Sequence, residues 1–202
     1  MIASGISANS MPESLPVVPN RAGADELDES WTEVLRGGDR IRIRPIHQED
    51  AAMERRFIEE LSPASRRFRF LDTMRSPGDA LLKQLTVIDP ATDVAYVAVV
   101  DDESQDHQIG VARFSAQPGG GDCEFAVAVS DKWQNKGLGM HLMHHLMEAA
   151  RQRGIAEMHS SDASDNDLMR RFAEQLHLDH RPDPDDATQI LYSLKLGHRR
   201  QR

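Results

Sequence analysis

Residues 123–139 read CEFAVAVSDKWQNKGLG, an apolar run followed by a turn that contains two glycines. Apolar and small side chains fill residues 123–129 in the way expected of a largely buried strand. Beyond the turn, leucines at positions 138, 142 and 146 recur at helical spacing until Gly154, a stop signal, which predicts a helix over residues 137–153. The stretch therefore predicts a strand that feeds a long helix through a glycine-containing turn.

The turn at residues 134–139 is suited to binding phosphate. Backbone N–H groups at a helix start, together with the positive end of the helix dipole, attract an anion, and glycines let a pyrophosphate approach closely. Lys136 adds a charge at the rim. The pattern is neither the Gly-x-Gly-x-x-Gly dinucleotide fingerprint nor a P-loop, because no Gly-Lys-Ser/Thr follows.

Outward from this segment, periodicity and turn residues predict one mixed α/β domain. The predicted strands are residues 40–45, 94–100, 109–114, 123–129, 155–159 and 189–196, and the predicted helices are residues 49–61, 76–85, 137–153 and 166–176. Residues 1–38 are rich in Ser, Pro, Gly, Asp and Glu and predict a flexible polar tail. Trp31 and Val34 form either one helical turn that pins this tail or part of an unstructured lead-in. The domain spans residues 39–197, and residues 198–202 form a basic end.

Composition excludes several classes of protein. The chain has 202 residues, of which 39% are hydrophobic and 28% charged, as in an ordinary globular domain. A formal net charge of -9 argues against nucleic-acid binding and mildly favours a basic acceptor such as a lysine or polyamine. A single cysteine, no signal peptide and no membrane-spanning run predict a cytoplasmic protein. No sequence feature favours a particular oligomeric state.

Several stretches resemble a known family. Residues 124–129, Trp133 and the turn at residues 134–139 resemble the acetyl-CoA-binding motif of GNAT acetyltransferases. Four others, Ile41-Arg42-Ile43-Arg44-Pro45, Arg66-Arg67-Phe68-Arg69-Phe70, Val87-Ile88-Asp89-Pro90 and Asp165-Asn166, are similar to the acetyltransferase domain of bacterial protein-lysine acetyltransferases. The likeness covers roughly residues 40–196.

The resemblance implies a GNAT-like sheet, mixed and mostly antiparallel, in which the fourth and fifth predicted strands splay apart to admit pantetheine. It implies acetyl-CoA as co-substrate and an amine acceptor, either a protein lysine or a small molecule. Pyrophosphate is expected on the backbone of the turn, and Asn166 is expected near the cofactor arm. The candidate cofactor-binding residues are Val127, Ala128, Val129, Gln134, Asn135, Lys136, Gly137, Leu138, Gly139, Met140 and Asn166.

Glu124 is the candidate general base. It shares one strand face with Ala126 and Ala128, whose small side chains leave room beside a carboxylate. An amine acceptor is protonated at neutral pH, so a carboxylate within reach helps to produce the nucleophile. The alternative interpretation is a surface glutamate at a strand start.

Other reactive residues have simpler interpretations. Alternation places Cys123 on the face opposite Glu124 with no adjacent histidine, so we expect a buried apolar residue and direct transfer without an acyl-enzyme. His141, His144 and His145 lack a carboxylate or cysteine at ligand spacing, which favours polar surface histidines and no metal. The arginine run 66–69 either contacts substrate or CoA phosphate or forms a solvated face.

Two positions depart from the family pattern. Ala173 stands where many members have a tyrosine that protonates the CoA thiolate, and His177 stands where a glycine usually ends the helix, so we expect a different local turn. Tyr192 is not assigned the missing role. The sequence thus predicts an N-acetyltransferase acting on a primary amine, with a non-catalytic acetyl-CoA sensor as the alternative.

Overall fold

A computed structural model describes residues 29–70, 76–102 and 105–197. Within these residues, eight strands form one sheet in the order β1-β2-β3-β4-β5-β6-β8-β7, antiparallel except for the parallel pair β5 and β6. The strands are β1 (Trp31–Val34), β2 (Arg40–Pro45), β3 (Asp93–Asp102), β4 (Gln105–Ala116), β5 (Asp122–Val129), β6 (Glu157–Ala163), β7 (Asp179–Pro182) and β8 (Gln189–Lys195). The helices are α1 (Ala51–Glu60), α2 (Pro63–Phe70), α3 (Asp79–Thr86), α4 (Leu138–Gln152) and α5 (Asp167–Leu176). The predicted mixed, mostly antiparallel sheet flanked by helices is confirmed.

The sheet has a core on each face. On one side, α4 buries Leu142 and Leu146 against Phe114 and Phe125 of the central strands. On the other side, α1 and α3 pack on the same strands, around a second cluster that includes Phe57 and Leu82. The two cores hold the central strands rigidly and so fix the position of the turn between β5 and α4.

Three local predictions were wrong. Trp31 and Val34 belong to a strand, not a helical turn, because the free edge of β2 offers unpaired backbone groups to the segment before it. Helix α2 was missed, although Ser62-Pro63 gives the same start signal as Ser76-Pro77 and the Ser62 hydroxyl accepts the Ser65 N–H. Strand β7 was missed because all four of its residues are exposed and show no alternation.

Most of the N-terminal segment and the last five residues lie outside the described residues. Residues 1–28 of the predicted tail and the predicted basic end at residues 198–202 lie outside the described residues. The part of the tail that is described pairs with the sheet from Trp31 onward, before the predicted domain boundary at residue 39.

The turn that ends α5 is not altered by the absence of glycine. His177 itself adopts the left-handed conformation, with φ 54° and ψ 42°. The Leu178 N–H donates to the Ala173 carbonyl at 2.9 Å, the bond that closes a Schellman ending. The expectation of a different turn was wrong because histidine tolerates this conformation at a modest energetic cost.

Replacing His177 with glycine tests that cost. Because His177 is exposed, His177→Gly loses little packing and removes the left-handed penalty, so we expect the free energy of unfolding to rise by roughly 0.5–1 kcal/mol. His177→Ala keeps the penalty and is expected to give no gain. Urea denaturation of the three proteins measures the difference, and equal stability of the glycine and alanine variants would contradict the explanation.

Candidate active site

Strands β5 and β6 separate partway along their length. They pair only between residues 122–124 and 157–159, whereas β5 continues to Val129 and β6 to Ala163. Each strand keeps its other neighbour throughout this region, since β4 pairs with β5 and β8 pairs with β6. The parting opens a gap with unpaired strand edges on both sides, which is the splay predicted from the sequence.

A cavity of about 350 Å³ lies in this gap. Its wall includes all but one of the predicted cofactor-binding residues, namely Val127, Ala128, Val129, Gln134, Asn135, Gly137, Leu138, Gly139, Met140 and Asn166. Lys136 is the exception, because its ammonium pairs with Asp39 at 2.9 Å and lies 4.5 Å from the Trp133 ring centroid. Glu124 also lies off the wall, one residue beyond Phe125, which lines the cavity.

The turn before α4 presents free hydrogen-bond donors to the cavity region. Asn135 and Gly137 have positive φ values of 60° and 92°, which bend the backbone sharply. In the part of the chain described, the backbone N–H groups of residues 135–139 donate to no protein acceptor. The Gln134 side-chain amide donates to the Val129 carbonyl at 3.2 Å and holds the turn against the end of β5. Successive free N–H groups at a helix N-terminus form a site for an anion.

The hairpin of β1 and β2 supports this turn from behind. The Arg36 N–H donates to the Lys136 carbonyl at 3.1 Å, on the same residue whose side chain pairs with Asp39. The Arg36 side chain lines the cavity, and its Nε lies 4.0 Å from the position that a Cβ on Gly137 would take. Sequence reasoning missed Arg36 because it placed residues 1–38 in a flexible tail.

Two of the α4 histidines anchor β1 to the helix. The Glu33 carboxylate lies 3.1 Å from His141 Nδ1 and 2.9 Å from His145 Nε2. Trp31 stacks on His145 with the ring centroids 4.2 Å apart. The His145 side chain is only 12% exposed, so its interpretation as a surface histidine was wrong. Among the residues that the structure describes, no cluster of three or more His, Cys, Asp or Glu is arranged to hold a metal ion.

Glu124 lies where β5 and β6 part, directly across from His159 on β6. Burial raises the pKa of its carboxyl group, and nearby His159 opposes the rise more weakly. Within the described residues, no hydrogen bond restrains the carboxylate. A half-buried, unrestrained carboxylate with a raised pKa is a better proton acceptor than an ordinary surface carboxylate.

Cys123 is unsuited to nucleophilic catalysis. Its side chain is 1% exposed within the core on the α4 face, and burial raises the pKa of the thiol to about 12. A thiol with this pKa is protonated at neutral pH, so it supplies no thiolate.

Asn166 has a structural role at the cavity wall. Its Oδ1 accepts the Met169 N–H at 3.1 Å and caps α5, while its Nδ2 donates to Asp162 Oδ1 at 3.1 Å. Burial raises the pKa of Asp162, which also lines the cavity. Both polar ends of the Asn166 side chain are therefore engaged by the protein.

The structure offers no tyrosine in the usual position. Ala173 is 2% exposed in the core, and Tyr192 is buried and does not line the cavity. Burial, and secondarily the charge of Asp162, raises the pKa of Tyr192.

Helix α2 contributes a wall that sequence reasoning missed. Ser65, Phe68 and Arg69 line the cavity from this helix. Arg67 pairs with Asp165 at 2.8 Å and is exposed, as a solvated face requires, but Arg69 is only 8% exposed. The solvated-face interpretation was wrong for Arg69, and the Ser62-Pro63 start signal was the clue that a helix turns this residue inward.

Known proteins show the same architecture. A profile of the acetyltransferase (GNAT) family matches residues 55–178. The chain is 40% identical over 168 residues to acetyltransferase PA5475 of Pseudomonas aeruginosa, an alignment that covers 83% of this chain and 90% of that one. The crystal structure of the GNAT domain of S. lividans PAT superposes with a TM-score of 0.76 at 22% identity, over 83% of this chain and 97% of that chain.

The PaiA N-acetyltransferase of Thermoplasma acidophilum, solved in complex with coenzyme A, superposes with a TM-score of 0.56 at 13% identity, over 77% of this chain and 98% of that chain. The fold of this chain is thus the one found in these two acetyltransferase structures. The chain belongs to the GNAT acetyltransferase family, is an N-acetyltransferase and uses acetyl-CoA as co-substrate. Within the described residues, no helix is both long and apolar enough to cross a membrane.

The two roles of Asn166 can be separated by substitution. Asn166→Ala removes the cap and a donor to the partly buried Asp162, so we expect the free energy of unfolding to fall by about 1–2 kcal/mol. Asn166→Ser restores the cap alone and is expected to recover part of the loss. Asp167→Ala, which removes only an exposed pair with Arg170, is the control and is expected to cost about 0.5 kcal/mol or less. Thermal unfolding measures all three, and an alanine variant no less stable than the control would refute the assignment.

Proposed function

We propose that the protein transfers acetyl from acetyl-CoA to a primary amine by direct attack, with Glu124 as the general base. The observation that carries the proposal is the gap between β5 and β6, which has free N–H donors at one end and a half-buried carboxylate at the other. Two acceptor classes fit this chemistry. A protein lysine is favoured by the resemblance to bacterial protein-lysine acetyltransferases, and a small-molecule amine is the alternative.

In this proposal the cofactor extends along the cavity from the turn to Glu124. The pyrophosphate lies on the free N–H groups of residues 135–139, and the pantetheine arm passes between β5 and β6 beside residues 127–129 and Asn166. Because β6 no longer pairs with β5 in this region, backbone N–H groups of β5 that face the gap are available to the thioester carbonyl. They would stabilise the negative charge that develops on its oxygen.

The base is needed because the acceptor is a cation at neutral pH. An amine of ordinary pKa costs about 4.6 kcal/mol to deprotonate at pH 7. Glu124 takes this proton, directly or through water, and the neutral nitrogen attacks the thioester carbon. The attacking nitrogen then loses its second proton to water, the carbon–sulfur bond of the tetrahedral intermediate breaks, the acetyl group remains on nitrogen as an amide, and the CoA thiolate leaves and takes a proton from solvent. The high pKa and burial of Cys123 support direct transfer over a covalent acyl-enzyme.

The non-catalytic sensor considered from the sequence is not retained, because the chain is an N-acetyltransferase. Ala173 fills the position of the family's usual tyrosine with a buried methyl group, and Tyr192 does not line the cavity, so in this proposal the CoA thiolate takes its proton from water.

Gly137→Ala tests the placement of the pyrophosphate. A Cβ at φ 92° costs roughly 1–2 kcal/mol and shifts the turn, so we expect the affinity for CoA to fall about tenfold. Gly119→Ala imposes the same kind of penalty at φ 72° in the loop between β4 and β5, away from the cavity, and is expected to leave CoA affinity unchanged. Calorimetric titration with CoA compares them, and wild-type affinity in Gly137→Ala would rule out this placement.

Glu124→Gln tests the base. We expect kcat to fall about 10²–10³-fold, because the amide cannot take the proton from the acceptor. The affinity for acetyl-CoA should stay unchanged. In the wild type, kcat/KM should fall as the pH drops through the raised pKa of Glu124, since only the carboxylate accepts a proton. Free CoA released from acetyl-CoA with a panel of lysine-bearing proteins, polyamines, amino acids and aminoglycosides measures turnover.

Asp122→Asn is the matched control, because it removes an exposed carboxylate from the same strand. It should retain wild-type turnover and the same pH profile. Loss of turnover in Asp122→Asn equal to that in Glu124→Gln would contradict the assignment of Glu124 as the base.

A further inference from the structure

Arg69 is a buried cation on the cavity wall. The residue is 8% exposed and lines the cavity from α2. Apart from a contact with the Phe70 ring at 5.2 Å, its guanidinium has no hydrogen bond and no ion pair within 4 Å among the described residues. Burial lowers the pKa of Arg69 to about 10, so the group still carries its charge at neutral pH. A buried charge without a close partner is strongly unfavourable unless a ligand supplies one.

Arg69 lies on the same side of the sheet as Glu124. The start of α2 sits beside the turn before α4, where Ser65 Oγ lies 3.4 Å from the Gln134 amide. Arg69 is four residues further along the same helix face, about 6 Å from Ser65. Arg69 is close enough to Arg113 for the two charges to interact, and Arg113 is directly opposite Ala126 in the sheet. Ala126 lines the cavity and is two residues from Glu124 on the same face of β5, so Arg69 and Glu124 face the same side of this strand.

The charged groups around Arg69 leave its positive charge without an ion-pair partner among the described residues. Arg113 is partly buried, and burial lowers its pKa against the opposing effects of Glu54 and Asp93. Glu54 is 2% exposed, burial raises the pKa of its carboxyl group, and it accepts a hydrogen bond from the Gln108 amide. No salt bridge within 4 Å joins Glu54 to Arg69 in the described chain. Glu54 therefore opposes the lowering of the Arg69 pKa without forming an ion pair with its guanidinium.

We propose that Arg69 binds the carboxylate of the acceptor, so that the substrate is a small amine that also carries a carboxylate, such as a free amino acid. The inference rests on the proposed function and narrows its acceptor. The planar guanidinium matches two carboxylate oxygens, and this contact directs the acceptor's amine toward Glu124. The net charge of -9 mildly favoured a basic acceptor, but a polyamine would bring a second cation against Arg69 and is expected to be a poor substrate.

Matched acceptors test the proposal in the wild-type protein. Each pair has one amine with a carboxylate and one in which it is an amide or is absent, such as an amino acid and its carboxamide, or lysine and 1,5-diaminopentane. We expect kcat/KM for the best acid to exceed that of its partner about 100-fold, as for a hydrogen-bonded charge pair. Equal rates within a pair, or acetylation of protein lysines with no free amino acid accepted, would overturn the proposal and leave the proposed function intact.

Substitutions locate the effect. Arg69→Gln should reduce the preference for the acid to less than about tenfold, chiefly through KM, with little change for the amide and unchanged affinity for acetyl-CoA. Arg69→Lys should keep part of the preference because it retains the charge. Arg66→Gln, on the same helix but off the cavity wall, is the control and should keep the full preference. If Arg69→Gln does not fold, the wild-type pairs and Arg69→Lys still decide the outcome.

A binding measurement separates this inference from the proposed function. Calorimetric titration of the protein–CoA complex with the same amino acids and amides reports the carboxylate site without turnover. Binding that requires both the carboxylate and Arg69, in a protein that releases no CoA, would support the site and count against the enzyme. Turnover without any preference for the carboxylate would count against the site alone.

Discussion

The parting of β5 and β6 is the constraint on which the rest of the molecule depends. Parallel pairing stops at Glu124 and His159, while β5 stays paired with β4 and β6 stays paired with β8 beyond that point. The gap leaves strand edges without partners, a state that is normally unfavourable in a protein interior. In the proposed function an extended acyl-CoA arm meets those groups, so the same irregularity that weakens the sheet provides the space for the cofactor.

The α4 turn and the α2 wall of the gap have different electrostatic character. At the turn before α4, the free donors are the uncharged N–H groups of residues 135–139, and Lys136 is engaged by Asp39. Beside α2 lie ionisable side chains, the buried Arg69 and Glu54 and the partly buried Arg113. Burial makes these charges effective over short distances because little water screens them. The overall negative charge of the chain therefore gives no guide to the site.

Much of the architecture could be predicted from local pattern. The strand, turn and helix at residues 123–153 could be predicted because each signal, the apolar run, the glycines of the turn and the leucine spacing, depends on residues that are close in sequence. For the same reason the prediction failed at β7, whose exposed residues show no pattern, and at β1, whose conformation is set by the edge of β2. His177 shows that a conformation can persist without the residue that usually marks it.

By itself the sequence determined the order of the central elements, the family and the segment that lines the cavity, because these depend on short-range periodicity and a compact motif. Only the tertiary structure decided that Arg36 reaches the turn, that Glu33 ties β1 to His141 and His145, and that Arg69 is buried beside the gap. Each of these contacts joins residues far apart in the chain. Their chemistry depends on burial and on the direction of a side chain, which packing sets and local pattern does not encode.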